Sequence, residues 1–223
     1  MMIFSIDDVL TSEELKFLVN SLNEADFVDG KMTAGWHAKL VKNNTQLSNQ
    51  KGYLQELRSL VETALERHPL FQSAVRPKII HSIQFSRYEP GMSYGTHVDN
   101  ALMGDREFWR SDVSFTIFLS PSSSFTGGEL VIEGSDGDRA YKLEAGSAIV
   151  YPSSTLHRVE TVTDGIRLAA VGWVQSLVRD SNKREILFDL DTARRSIFAK
   201  EGKTIEFDLI SKSYANLLRQ WAE

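Results

Sequence analysis

The chain has 223 residues, 42% of them hydrophobic and 25% charged, with a net charge of −5. These values describe one globular core of ordinary size; they exclude disorder and fibre, and a net-negative chain is not built mainly to grip phosphate backbones. The absence of cysteine removes disulfides, thiolate metal sites and cysteine nucleophiles and is compatible with a reducing cytoplasm.

No apolar run approaches the roughly 20 residues of a membrane span. The opening "MMIFSIDDVLTSEEL" lacks the basic start and long apolar stretch of a signal peptide, so the expected location is cytoplasmic. Its "MIFSIDDVL" reads as extended. Thr11 followed by Glu14 fits a capping box, and Leu15, Leu18, Val19 and Leu22 form one apolar stripe of a first helix. "DGKMTAGWHAKLVKNNTQLS" is polar and turn-rich, a loop with a short strand. In "KGYLQELRSLVETALERHPLF", Leu54, Leu57, Val61, Ala64 and Leu65 recur at helical spacing, and Pro69 marks the helix end.

From Lys78 the period changes. "IIHSIQFSRYE", "SFTIFLS", "GELVIEG", "RAYKLEA", "SAIVYP", "HRVETV" and "RLAAVGWVQS" are short, β-branched or aromatic runs separated by glycine, proline or serine clusters. That pattern predicts a sandwich or barrel rather than a parallel βαβ sheet. After Ser176, "REILFDLDTARRSIFAKEG" and "DLISKSYANLLRQWAE" are helical again. The expected class is α+β with a mainly β core, N-terminal helices on one side and a helical C-terminal appendage. The expected boundaries are a catalytic unit over residues 1–176, its β core at about 78–176, and an appendage over 177–223.

Within the β region, "RYEPGMSYGTHVDNA" places His97 and Asp99 two residues apart. On an extended segment alternate side chains share a face, roughly 7 Å apart at Cα, so both groups converge on one point. His157, in "GSAIVYPSSTLHRVETVTDGIRLAAVGWVQ", supplies a third ligand, and Arg167 follows ten residues later. If Thr163-Asp164-Gly165 is a three-residue hairpin loop, Val162 pairs with Ile166 and Arg167 lies opposite Thr161. His157 and Arg167 then point the same way, roughly 13 Å apart. A two-residue loop reverses that parity. Two histidines and one carboxylate with open positions form the facial triad of non-haem Fe(II) oxygenases, and a nearby arginine can fork onto the far carboxylate of a small diacid. Of the remaining histidines, His37 and His68 read as solvent-facing and His81 as core or pocket wall. The long polar "DNALMGDREFWRSD" reads as a lid.

These segments, with "SFTIFLSPSSSFTGGELVIE" and "DGKMTAGWHAKLVKNN", resemble the bacterial PKHD-type hydroxylases. That group belongs to the Fe(II)/2-oxoglutarate-dependent dioxygenases, in the branch similar to prolyl 4-hydroxylase catalytic domains. The resemblance runs from near Asp29 to the C-terminus and implies a double-stranded β-helix, or jelly roll. It implies that His97, Asp99 and His157 bind Fe(II), that Arg167 binds the 5-carboxylate of 2-oxoglutarate, and that L-ascorbate supports turnover. Where several relatives carry a tyrosine on the strand after the His-X-Asp motif, Phe118 stands here, so the hydroxyl that helps Arg167 is expected from Tyr88, Thr116 or Tyr94. The implied activity is hydroxylation of a peptidyl residue such as proline, or of a small molecule, with O2 as oxidant and succinate as by-product. The competing reading is a cupin-like iron sensor without oxygenase activity. "SIFAKEG" and "YANLLRQWAE" leave apolar positions that cover either the β core or a sister subunit in a homodimer.

Overall fold

A computed structural model describes residues 3–48, 53–104 and 107–223. Met1, Met2, Lys51, Gly52, Asp105 and Arg106, which belong to the start, second helix and lid segments named above, lie outside the described residues. Strand β1 (Phe4–Ile6) leads into α1 (Ser12–Asn23), which starts where the capping box requires. Thr11 Oγ1 accepts from the Glu14 amide, and Glu14 accepts from the Thr11 amide at 2.9 Å. Then come β2 (Phe27–Asp29), two short 3-10 turns, β3 (Lys42–Asn43) and β4 (Thr45–Leu47). Helix α2 (Tyr53–Arg67) stops before Pro69, which opens the short α3 (Pro69–Val75) because its missing N–H costs nothing in a first turn.

The β region follows: β5 (Pro77–Tyr88), β6 (Ser93–His97), β7 (Leu102–Met103), β8 (Trp109–Arg110), β9 (Val113–Phe118), β10 (Phe125–Gly127), β11 (Leu130–Gly134) and β12 (Gly137–Tyr141). It closes with β13 (Ala148–Pro152), β14 (His157–Val159), β15 (Val162–Gly165) and β16 (Arg167–Ser176), before helices α4 (Ser181–Glu201) and α5 (Ile205–Trp221). Two antiparallel sheets result, a seven-stranded one in the order β1-β13-β9-β16-β5-β4-β2 and a five-stranded one in the order β12-β11-β14-β6-β3. This is the jelly roll, with the helices packed outside it.

Strand alternation sorts the larger sheet into two faces. Ile83, Phe85, Ile117, Val150, Leu168 and Ala170 point outward and form the main core with Leu18 and Leu22 of α1 and Leu57, Val61 and Leu65 of α2. Each such large aliphatic side chain contributes about 1.5–3 kcal/mol on burial. The opposite face looks toward the smaller sheet, where Tyr88, Phe118, Ile149 and Tyr151 meet Leu130, Ile132 and Val159. The inter-sheet space is therefore only partly filled by apolar groups, and the rest of it is a cavity. Helices α4 and α5 form a hairpin on the outside, tied down by Arg76 donating to the Tyr214 hydroxyl at 2.7 Å and by Arg184, which donates to the carbonyls of Val178 and Arg179. Among the described residues no helix is long and apolar enough to cross a membrane.

The hairpin expected around Thr163-Asp164-Gly165 does not form. Val162–Gly165 pairs with β10, Gly165 opposite Phe125, and the chain then crosses to the larger sheet, where Arg167 pairs with Tyr88 of β5. Val162 is wholly buried in the inter-sheet core, and Gly165, at φ +74, turns the corner with no room for a side chain: a Cβ there would stand 2.2 Å from the Ser124 carbonyl oxygen. The burial of Val162 and this corner outweigh the local preference for a tight turn.

Candidate active site

His97 and His157 are direct cross-strand partners on β6 and β14, with ring centroids 4.2 Å apart. Strand β6 ends at His97, so Asp99 reaches the site from the loop just beyond the strand end rather than from the strand itself. Convergence survives nonetheless: one ligand atom from each of His97, Asp99 and His157 lies within 4.8 Å of the others, and Asp99 Oδ1 is 3.9 Å from His157 Nε2. The side chains of His157 and Asp99 are only 6% and 7% exposed.

The surrounding groups fix the ligand atoms. His97 Nδ1 bonds to the Gly95 carbonyl at 2.9 Å and His157 Nδ1 to the Thr155 carbonyl at 3.0 Å. A carbonyl only accepts, so each Nδ1 carries its hydrogen and each Nε2 keeps a lone pair for a metal. Burial, reinforced by the neighbouring His157, pushes His97 down to about 4, which keeps its ring neutral at physiological pH. Ser114 donates to Asp99 Oδ2 at 2.6 Å and is itself within 2.7 Å of Ser153 Oγ, a short chain that aims the other carboxylate oxygen at the histidines. The Tyr94 ring stacks on His97 at 3.7 Å, and burial raises its phenol. Two imidazoles anchored through Nδ1 and an oriented carboxylate suit Fe(II).

Arg167 lines the same cavity, of about 610 Å³, on the larger sheet. It is 1% exposed, its Nε has no hydrogen-bond partner among the described residues, and its guanidinium carbon sits 5.1 Å from the Tyr88 ring centroid and 5.4 Å from that of Phe118. Gly128, at φ +69, makes room for the stem: a Cβ there would come within 3.0 Å of Arg167 Cδ. Burial pulls Arg167 down and pushes the Tyr88 phenol up. Thr116 is buried on β9 and lines the cavity, as do Tyr88 and Tyr94.

His81 is buried as expected, bonded to the Arg110 carbonyl at 3.1 Å, and is not one of the clustered ligand residues. His37 and His68 are half-buried rather than solvent-facing. The segment read as a lid carries the β7–β8 ribbon, and its Asn100, Leu102 and Met103 line the cavity. Ser114, Ser153 and Tyr151 also belong to the site and were not singled out as site residues by sequence. Serines and tyrosines are common in strands, and only long-range pairing turns these three inward.

Residues 83–175 match the 2OG-Fe(II) oxygenase superfamily and residues 181–223 the PKHD-type hydroxylase C-terminal domain. A PKHD-type hydroxylase of Rippkaea orientalis is 64% identical over 222 residues, covering 100% of both chains, and one of Acaryochloris marina is 66% identical with the same coverage. The chain belongs to the PKHD-type hydroxylases. As a member of the 2OG-Fe(II) oxygenases it is an oxygenase of a family that uses Fe(II), 2-oxoglutarate and O2, which sets aside the iron-sensor reading. Two solved structures share the fold. The first is a 2OG-Fe(II) oxygenase family oxidoreductase of Burkholderia pseudomallei, 18% identical, TM-score 0.55, covering 78% of this chain and 84% of that one. The second is a Trichoplax adhaerens prolyl hydroxylase in complex with a hypoxia-inducible-factor peptide, 15% identical, TM-score 0.55, covering 83% and 86%.

Proposed function

We propose that the chain hydroxylates an organic substrate, a peptidyl residue such as proline or a small molecule, with His97, Asp99 and His157 holding Fe(II) and Arg167 holding the far carboxylate of 2-oxoglutarate. One observation carries this reading: the three-ligand cluster and a wholly buried arginine with an unpartnered Nε face a single cavity. Bound Fe(II) supplies the O2-dependent oxidation that couples decarboxylation of 2-oxoglutarate to succinate with hydroxylation of a C–H bond, and ascorbate keeps the metal ferrous.

The chain's own residues do the placing. The carbonyls of Gly95 and Thr155 hold both imidazoles in the ligating tautomer, and Ser114 holds Asp99. Arg167 offers a planar fork that a carboxylate matches through two parallel hydrogen bonds, with Tyr88 and Thr116 as neighbouring hydroxyl donors. Leu130 and Val159 line the cavity and exclude water from the charged groups. The unit that does this spans residues 1–176, and residues 177–223 are a docked appendage; the separate family matches on either side of this boundary support that division.

The test is succinate formation from 2-oxoglutarate by Fe(II)-loaded protein in air. Asp99→Ala removes the anionic ligand and is expected to abolish it. Succinate formation by Asp99→Ala at the wild-type rate refutes the assignment.

A further inference from the structure

Lys42 has no part in the reading above, yet it lines the same cavity and is only 5% exposed. It stands on β3 opposite Tyr94 of β6, on the smaller sheet, whereas Arg167 projects from the larger one. Its ammonium donates to Thr33 Oγ1 at 3.1 Å and lies 5.0 Å from the Tyr94 ring centroid. Thr33 in turn hydrogen-bonds to Gln46 Oε1, and Gln46 Nε2 donates to Gln84 Oε1 at 2.6 Å. This relay pins the ammonium inside the cavity rather than letting it reach solvent.

The ammonium is poorly compensated. Among the described residues the lysine ion pairs are Lys142 with Glu129 and Lys203 with Asp208; Lys42 has none. Burial pushes it down to about 8, opposed by the more distant charges of Asp99 and Asp29. An ammonium has three donor hydrogens, and a buried one with donors to spare is costly unless a ligand completes its shell. The proposed cofactors do not complete it. Two charges on Fe(II) and one on Arg167 are balanced by Asp99 and the 2-oxoglutarate dianion, which leaves Lys42 with only the exposed and more distant Asp29 as a counter-charge. A single cation with hydroxyl and amide neighbours matches a monoanion. Met32 and Leu102, which line the cavity, are 75% and 57% exposed among the described residues and give it an apolar border.

We propose that Lys42 anchors a carboxylate of the substrate that is hydroxylated, so that the substrate is a carboxylic acid with an apolar body, either free or as an acidic side chain in a peptide. This rests on the 2-oxoglutarate site proposed above. The experiment uses Fe(II)-loaded, 2-oxoglutarate-saturated protein without oxygen, and calorimetry with two probe pairs. One pair is 4-phenylbutyrate and 4-phenylbutyramide; the other is the peptide acetyl-Phe-Ala-Glu-Ala-amide and its glutamine counterpart.

The expected result is that the acid of at least one pair binds about tenfold or more tighter than its amide, as a charge-assisted bond to a buried cation requires. The preference disappears in Lys42→Met and Lys42→Gln, survives in Lys42→Arg, and leaves 2-oxoglutarate affinity at its wild-type value in all three. Which pair shows it separates a free acid from an acidic peptide. No preference in either pair, a preference that persists in Lys42→Met, or a tenfold loss of 2-oxoglutarate affinity in that variant overturns the proposal. Failure of the wild-type protein to bind 2-oxoglutarate at all overturns instead the 2-oxoglutarate site on which the proposal stands.

Discussion

Replacing Arg167 by methionine separates a binding role from a structural one, because the two move in opposite directions. In the ligand-free protein the guanidinium is 1% exposed and its Nε is unpartnered. An unsatisfied buried donor costs about 1–3 kcal/mol, and the Tyr88 and Phe118 faces return about 0.5–2 kcal/mol each. The two nearly cancel, so Arg167→Met is expected to change the stability of the ligand-free protein by less than about 2 kcal/mol, with methionine filling much of the same volume. Binding behaves differently. Removing one partner from a buried ion pair costs roughly 3–5 kcal/mol, which raises the 2-oxoglutarate Kd between about a hundredfold and several thousandfold. The assay is anaerobic titration of Fe(II)-loaded protein with 2-oxoglutarate followed by visible absorption, paired with urea unfolding of the metal-free protein. A Kd within about tenfold of wild type refutes the reasoning, as does a loss of stability large enough to account for the weaker binding.

Ser114→Ala frees Asp99 Oδ2 and is expected to weaken Fe(II) affinity by about 10- to 100-fold, read by metal titration, while an unchanged affinity removes Ser114 from the site. Gly165→Val puts a Cβ 2.2 Å from the Ser124 carbonyl oxygen at φ +74 and is expected to cost about 2 kcal/mol or more in urea unfolding, with weaker 2-oxoglutarate binding because Arg167 stands only two residues beyond the corner. A fully stable Gly165→Val variant contradicts the crossover geometry. Glu14 is held down to about 2, chiefly by its hydrogen bonds from Arg67. The depressed value means that this stabilisation is present above about pH 4.5 and is lost as pH falls through 2. Because the pair is partly exposed, Glu14→Gln is expected to cost only about 1 kcal/mol at neutral pH and to flatten the acid limb between pH 4.5 and 2; an unaltered acid limb counts against the pair.

Sequence alone determined the elements whose signals are local. The Thr11–Glu14 capping box, the apolar stripes of α1 and α2, the change to strand period after Lys78 and the helical tail all follow from neighbours within a turn or a pleat. His97, Asp99, His157 and Arg167 could be nominated from sequence because few residue types bind metals or diacids and these four stand at telling spacings. Their geometry could not. His97 meets His157 because β6 pairs with β14, and Arg167 faces the cavity because its strand joins β5 and β9 in the opposite sheet. A local parity argument through the Thr163–Gly165 turn could not foresee that crossover, since the burial of Val162 and the pairing with β10 are long-range choices. The same holds for Ser114, which holds the carboxylate, and Lys42, whose charge stands unpaired. Nothing in their own neighbourhoods marks them, and only the closure of two sheets over one cavity takes them out of water and gives them chemistry.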